Sequence, residues 1–199
     1  MKEYYCDITT VQENEWSLWY SQMDPQQQKK CDAYQRESAR KQCIAADHLA
    51  RAALSKHFNS FLEKVQILHA PSGKPYVAGN SVYFSISHSD HLVACVLSSN
   101  PVGIDIEYLH PVPHNVQERI CTDEELRFLK DAKNDEDRLM RFFYLWTRKE
   151  AVFKIDGDLP RRDRETNVLF PDAELAVETR VENGCVISIA KREKSSILS

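Results

Sequence analysis

Two carboxylates stand two residues apart in the apolar segment VGIDIEYL, at Asp105 and Glu107. Acidic side chains rarely interrupt a buried strand unless they are paired or bind a metal ion. On a strand, residues i and i+2 face the same side, so these two carboxylates project into one place. Ile104 and Ile106 face the opposite side and are predicted to pack into a core, while Gly103 would allow another backbone to approach closely. Alone, the pattern is equally typical of a half-exposed strand with one polar face.

A second set of functional side chains shares one face of the predicted helix FFYLWTRKEAVFK. Trp146, Glu150 and Lys154 recur at every fourth residue, which places them on the same side of a helix. A Glu followed by a Lys one turn later is also an ordinary surface ion pair, which contributes only about 0.2–0.5 kcal/mol to helix stability. The spacing leaves a structural and a chemical interpretation open.

The two sets together are suited to phosphoryl transfer. Asp105, Glu107 and Glu150 supply hard oxygen ligands, which suit Mg²⁺, with Mn²⁺ as an alternative. Mg²⁺ is usually held by a few carboxylates together with water and substrate phosphate oxygens. Lys154, one turn beyond Glu150, is placed to neutralise a phosphate. In such reactions positioning and charge stabilisation supply most of the catalysis.

Candidate anion-binding residues lie upstream of these carboxylates. Lys74 follows a glycine in the loop segment SGKPY, and Ser87, His88 and Ser89 lie at the end of the alternating segment SVYFSISHS. Arg40 lies in a long predicted helix. Their hydroxyl, imidazole and cationic groups are donors suited to phosphate oxygens. A loop lysine is more often solvated, however, and a histidine at a strand end is often structural.

Composition and charge narrow the class of protein. The chain has 199 residues, a net charge of -4 and 42% hydrophobic residues, which indicates a soluble protein with a sizeable core and gives no case for nucleic acid as a partner. No apolar run approaches the roughly 20 residues of a membrane span, and the N-terminus has no signal-peptide pattern. We therefore expect a cytoplasmic protein without membrane association.

Cysteine usage fits that compartment. None of the cysteines forms a C-x-x-C pair, so we predict reduced, mostly buried thiols and no structural zinc site. The six cysteines are Cys6, Cys31, Cys43, Cys95, Cys121 and Cys185.

The order of predicted elements divides the chain into two similar halves. Residues 1–100 and 101–199 each read as a strand, then helices, then further strands, and the segment SSNP separates them. The first half has one long predicted helix over 26–58, and the second has helices over about 118–133 and 136–154. The mixed content predicts an α+β protein that folds as one compact unit.

The motifs resemble the signature of a known enzyme family. GIDIE followed by WTRKEAVFK is similar to the signature pair of the surfactin-type 4′-phosphopantetheinyl transferases, at the separation the family shows. The upstream segments GKPY and SISHS match two further motifs of that family, in the same order. The resemblance extends from Gly73 to Lys154.

The resemblance implies a reaction and a fold. The family transfers the 4′-phosphopantetheine arm of coenzyme A to a serine of an acyl or peptidyl carrier protein and releases adenosine 3′,5′-bisphosphate. Its fold is a pseudo-dimer in which two similar halves enclose the coenzyme A cleft. Asp105, Glu107 and Glu150 would hold Mg²⁺, and Asp105 would also contact coenzyme A. We expect such an enzyme to act as a monomer.

The resemblance also assigns roles to single residues. Glu150 would remove the serine proton, directly or through water, and Lys154 would stabilise the departing phosphate and contact coenzyme A. Lys74 and His88 would bind the coenzyme A phosphates, especially the 3′-phosphate. Ser87 would contact the pyrophosphate or the adenosine. For the arginine that binds the 3′-phosphate we choose Arg40, with Lys41 as a close rival.

Some positions depart from the family pattern. Ser85 stands where the family often has Asn, and Asp158 replaces the second Gly of a G-x-G-L segment. A basic run follows at Arg161, Arg162 and Arg164. That run is either a solvated loop or a contact to the acidic recognition helix of a carrier protein.

Two alternatives to transfer remain on sequence grounds. The same three carboxylates would serve a metal-dependent phosphohydrolase or nuclease that uses water as its nucleophile. The chain would also suit a carrier-binding module that has lost catalysis, but the intact set of Asp105, Glu107, Glu150 and Lys154 argues against it.

Overall fold

The computed structural model describes residues 1–79, 82–156 and 166–192. Within these residues the first half forms β1 (Lys2–Asp7), α1 (Glu13–Ser21), α2 (Pro25–Asp32), α3 (Glu37–Phe58), a 3₁₀ turn (Leu62–Lys64), β2 (Ile67–His69), β3 (Pro75–Val77), β4 (Tyr83–Ser89) and β5 (Leu92–Ser98). The second half forms β6 (Val102–Tyr108), α4 (His114–Ile120), α5 (Asp123–Lys130), α6 (Asp135–Asp156), β7 (Leu175–Glu182) and β8 (Cys185–Arg192). None of the described helices combines the length and the apolar character that crossing a membrane requires.

Each half places a long helix on a small antiparallel sheet. The first sheet has the strand order β1-β5-β4 and the second has the order β6-β8-β7. Helix α3 packs on the first sheet and α6 on the second, each over its own apolar core around Leu54 and Phe143 respectively. This repetition confirms the predicted α+β pseudo-dimer.

The two halves meet where β4 lies beside β6. A third apolar core fills the space between the two sheets, with Val96 from β5, Ile104 and Ile106 from β6 and Ile187 from β8. Ile104 and Ile106 are fully buried, so the alternation predicted for this strand is confirmed. At another point of the junction, Arg180 on β7 donates a hydrogen bond to the Glu3 carboxylate on β1 at 2.5 Å.

Gly103 lets α6 lie directly against β6. A Cβ atom at this position would stand 1.9 Å from the carbonyl oxygen of Ala151 and 3.0 Å from Cβ of Lys154. No side chain larger than hydrogen fits there, and the close backbone approach expected from the sequence is confirmed. The contact brings the last two turns of α6 against the strand that carries Asp105.

The long helix predicted over 26–58 is instead two helices. The segment contains no Gly or Pro to announce a break, and tertiary contacts fold α2 back against α3. A continuous helix would separate Cys31 and Cys43 by about 18 Å at 1.5 Å per residue. Their Cα atoms are 5.9 Å apart and their sulfurs are joined in a disulfide.

The prediction that every cysteine is reduced is therefore wrong for this one pair. Cys6, Cys95 and Cys185 remain free thiols, and Cys95, Cys121 and Cys185 are buried.

The helix predicted over 118–133 is also divided. Thr122 caps the N-terminus of α5, because its hydroxyl accepts from the Glu125 backbone at 3.2 Å. The Glu125 carboxylate in turn accepts from the Thr122 backbone at 2.8 Å. This reciprocal capping box fixes a new helix start, and Cys121 before it is extended.

Candidate active site

A cleft of about 520 Å³ lies between the two halves. It contains nearly all the residues that the sequence singled out. Those that line it are Lys74, Ser87, His88, Asp105, Glu107, Glu150 and Lys154.

Asp105 is the most enclosed carboxylate in this cleft, with only 5% of its surface exposed. Its Oδ1 atom accepts hydrogen bonds from the Ser87 hydroxyl at 2.9 Å and the Lys154 ammonium at 2.7 Å. Its Oδ2 atom is buried and has no hydrogen-bond partner among the described residues. A buried polar atom without a partner is costly, so Oδ2 is suited to bind a cation or to accept from a donor.

Glu107 is half-buried and held from both halves of the protein. Its Oε2 atom accepts from the Ser89 hydroxyl on β4 at 2.7 Å, and its Oε1 atom accepts a longer bond from the Trp146 indole on α6 at 3.4 Å. Burial raises the pKa of the Glu107 carboxyl above its usual range. The hydrogen bond from Ser89 lowers that pKa, while the charge of Asp105 raises it further. Sequence reasoning placed Trp146 on the right helix face, but it considered Ser89 only as a candidate anion binder and not as a partner of Glu107.

Lys154 connects α6 to both strands of the junction. Its ammonium donates to the Ser87 hydroxyl at 2.9 Å as well as to Asp105. Only about a quarter of its side chain is exposed. Lys154 therefore forms a largely buried ion pair within the second half and a hydrogen bond to Ser87 across the junction of the two halves.

The carboxylates fit a hard divalent cation by their chemistry. Asp105, Glu107 and Glu150 offer oxygen donors to one cleft, and the buried Oδ2 of Asp105 accepts no hydrogen bond from the described residues. In the described part of the chain, however, no three His, Cys, Asp or Glu side chains are gathered closely enough to form a metal centre. The Lys154 ammonium supplies the positive charge beside Asp105 in this arrangement.

His88 and Lys74 line the cleft from the first half. The His88 ring is accessible to solvent within the cleft, but the surrounding protein excludes enough water to lower its pKa, and the charge of Lys154 lowers it further. Both effects favour the uncharged form of the ring. The Lys74 ammonium donates to the Ile155 carbonyl oxygen near the end of α6, which ties the SGKPY loop to the second half.

Two family models match the chain along most of its length. Residues 10–101 match the model described as 4′-phosphopantetheinyl transferase, N-terminal. Residues 101–192 match the 4′-phosphopantetheinyl transferase superfamily. The chain belongs to this superfamily.

Several bacterial 4′-phosphopantetheinyl transferases are similar to this chain in sequence. The 4′-phosphopantetheinyl transferase Sfp of Bacillus subtilis (strain 168) is 28% identical over 181 residues, which cover 85% of this chain and 80% of Sfp. The 4′-phosphopantetheinyl transferase HetI of a Nostoc species is 26% identical over 168 residues, covering 76% and 70% of the two chains. The 4′-phosphopantetheinyl transferase gsp of Aneurinibacillus migulanus is 35% identical over a shorter match of 103 residues, covering 47% and 43%. The match to Sfp extends over most of both chains.

Arg40 is the one predicted site residue of this transferase that does not line the cleft. Its guanidinium pairs with Asp32 at 3.2 Å and lies over the ring of Tyr20. Lys41, its rival, also lies outside the cleft. Lys30 on α2 does line the cleft, and sequence reasoning missed it because the fold-back of α2 was not foreseen.

The basic residues inside the WTRKEAVFK motif have a different role from Lys154. Lys149 forms an ion pair at 2.9 Å with Glu125, whose side chain is fully buried. Arg148 donates to the backbone carbonyls of Val168 and Val177. These contacts fix the outer side of α6 to the rest of the second half, so that its inner side stays directed at the cleft.

The remaining sequence predictions for the site concern Asp158 and the basic run at Arg161, Arg162 and Arg164. All four lie outside the described residues. A role of the basic run in binding a carrier protein stays a prediction.

Proposed function

We propose that this transferase moves the 4′-phosphopantetheine arm of coenzyme A onto a serine hydroxyl of an acyl or peptidyl carrier protein. The serine oxygen attacks the β-phosphorus, the bond from that phosphorus to the bridging pyrophosphate oxygen breaks, and adenosine 3′,5′-bisphosphate departs with the bridging oxygen on its 5′-phosphate. The observation that carries the proposal is the cluster of Asp105, Ser87 and Lys154 at the junction of the two matched halves, in a cleft that Glu107 and Glu150 also line.

We assign the metal position to Asp105, Glu107 and Glu150. Their oxygen donors and the partnerless Oδ2 of Asp105 support this assignment, and they suit Mg²⁺, with Mn²⁺ as a substitute. When bound, the ion would neutralise the pyrophosphate during transfer. Asp105 would also face coenzyme A, since it lies deepest in the cleft between the two halves.

Glu150 is proposed as the group that takes the proton from the attacking serine. It lies on α6 one turn before Lys154 and lines the cleft, so an incoming serine can reach it. The proton passes to it either directly or through a water molecule. A carboxylate in this position makes the hydroxyl a better nucleophile as the bond to phosphorus forms.

Lys154 is proposed to stabilise the phosphate that departs. Its ammonium already lies at the centre of the junction, between Ser87 and Asp105. Because negative charge grows on the leaving phosphate in the transition state, a fixed ammonium there contributes more to the transition state than to the ground state.

The other phosphate groups of coenzyme A are assigned to the first half. Lys74 and His88 line the cleft with cationic or N–H donors, and we retain them as phosphate ligands. The Ser87 hydroxyl donates its one hydrogen to Asp105 and accepts from the Ile106 backbone and Lys154, so it would donate to pyrophosphate only by giving up its bond to Asp105. Arg40 would have to leave Asp32 to reach the 3′-phosphate, and Lys30 is better placed for that role.

The proposed partner is a carrier protein, and the biosynthetic pathway to which that carrier belongs stays open. That the enzyme acts as a monomer in the cytoplasm stays a prediction from the sequence.

Removal of divalent metal tests the proposed reaction. We expect exhaustive chelation to abolish release of adenosine 3′,5′-bisphosphate from coenzyme A and apo carrier protein, and Mg²⁺ or Mn²⁺ to restore it, since the donors are hard oxygens. The release is measured by chromatography with and without the carrier protein. Full activity after chelation would contradict the metal assignment, and release that needs no carrier protein would indicate a hydrolase.

A further inference from the structure

A ladder of serine hydroxyls joins the two halves of the protein. Strands β4 and β6 belong to different sheets, and hydroxyls on β4 accept hydrogen bonds from backbone N–H groups of β6. The three bonds run from Ile104 to Ser85, from Ile106 to Ser87 and from Tyr108 to Ser89, at 3.2, 3.3 and 3.1 Å.

These bonds determine where each hydroxyl hydrogen points. A serine hydroxyl has one hydrogen to donate and two lone pairs that accept. The oxygen of Ser89 accepts from the Tyr108 backbone, and its hydrogen is donated to Glu107 at 2.7 Å. Ser87 accepts from the Ile106 backbone and from Lys154, and it donates to Asp105. Each of these two serines thus accepts from one backbone N–H group of β6 and donates to the carboxylate of the β6 residue that precedes that N–H group.

Ser85 lacks the second of these contacts. It accepts from the backbone of Ile104 at 3.2 Å, but the residue before Ile104 is Gly103, which has no side chain. Ser85 and Ser89 are therefore a matched pair: both join the strands, and only Ser89 also holds a carboxylate.

The Glu107 carboxylate depends on Ser89 for its orientation. From the residues that the structure describes, its other oxygen accepts only the longer bond from Trp146, at 3.4 Å. The terminal torsion of a glutamate is broad and has no sharp preferred value. Without the 2.7 Å bond on Oε2, the half-buried carboxylate would be free to rotate away from the cleft.

We propose that Ser89 is a positioning residue that holds Glu107 in the orientation needed for a divalent cation, with Ser87 acting in the same way on Asp105. The junction between the two halves then sets the geometry of the ligands. This inference rests on the proposed function, because it concerns the same carboxylates. Partners that orient metal ligands typically change metal affinity or activity by about 10–100-fold when removed.

The test compares Ser89→Ala, Ser89→Thr and Ser85→Ala in the full chain. Mn²⁺ binding is measured by electron paramagnetic resonance of the free ion, with coenzyme A present and no carrier protein, so that no turnover occurs. We expect Ser89→Ala to weaken Mn²⁺ binding about 10-fold and to lower kcat while the KM for coenzyme A changes little. Ser89→Thr, which keeps the hydroxyl, should restore both. Ser85→Ala should lower the unfolding midpoint as Ser89→Ala does but leave Mn²⁺ affinity unchanged.

Three results would overturn the proposal. Wild-type Mn²⁺ affinity in Ser89→Ala, or equal weakening in Ser85→Ala, would mean that the ladder only joins the strands. If the wild-type protein bound no Mn²⁺ at all, the metal assignment itself would fail, and this outcome is distinct from the first two. Should Ser89→Ala not fold, Ser89→Cys, whose thiol is a weak donor of similar size, is expected to show the same loss of affinity.

Discussion

Replacing Glu150 with Gln is expected to lower kcat for transfer by about 10²–10⁴-fold, the usual contribution of a general base. The substitution keeps the size of the side chain and removes both its basicity and its negative charge. Because α6 retains its packing on β6, the free energy of unfolding should stay close to the wild-type value. Turnover and urea unfolding are to be measured on the same samples.

Glu136→Gln is the matched control for this experiment. Glu136 is exposed in the first turn of the same helix, so the same chemical change there should affect neither turnover nor stability. A kcat for Glu150→Gln equal to that of the control would contradict the proposed proton acceptor. Lys154→Ala is a less clean probe, since it leaves the buried Asp105 carboxylate without its cation, which is strongly destabilising.

Replacing Gly103 with Ala is expected to destabilise the protein by about 3 kcal/mol or more. Overpacking usually costs about 1–3 kcal/mol, and here the new Cβ would meet a backbone carbonyl oxygen at 1.9 Å. Helix α6 would have to move away from β6, which would also separate Lys154 from Asp105. Transfer activity should fall together with the midpoint of urea unfolding.

Two further variants make the prediction specific. Ile104→Val changes the next residue of β6 and should cost only about 0.5–1.5 kcal/mol. Adding Ala151→Gly to Gly103→Ala should not rescue stability, because the clash is with the backbone of Ala151 and not with its side chain. A stable Gly103→Ala protein with normal activity would show that the close approach is not needed.

Much of the site could be predicted because it depends on local periodicity. Two-residue alternation in VGIDIEYL placed Asp105 and Glu107 on one face and buried Ile104 and Ile106 behind them. Four-residue spacing likewise placed Glu150 and Lys154 on one face of α6. Both patterns are set by backbone geometry alone, and the structure preserves them.

The features that could not be predicted depend on contacts between residues distant in sequence. Helix α2 folds back on α3, where Cys31 and Cys43 form a disulfide, and Lys30 lines the cleft, although nothing local in 26–58 marks a break. Ser89 becomes important only because β6 lies beside β4, a pairing that no local pattern specifies. Lys149 and Lys154 are both lysines of the same motif, yet Lys149 forms an ion pair with the buried Glu125 and so has a structural role.

The most direct test of the central claim is intact-mass spectrometry of apo carrier proteins after incubation with the protein, Mg²⁺ and coenzyme A. The panel should include carriers of fatty-acid, polyketide and nonribosomal-peptide synthesis, with Glu150→Gln as the matched enzyme control. The account predicts that at least one carrier gains the mass of one 4′-phosphopantetheine group on a serine, and that the variant produces far less of it in the same time. Breakdown of coenzyme A with no adduct on any carrier, or equal modification by the variant, would contradict it.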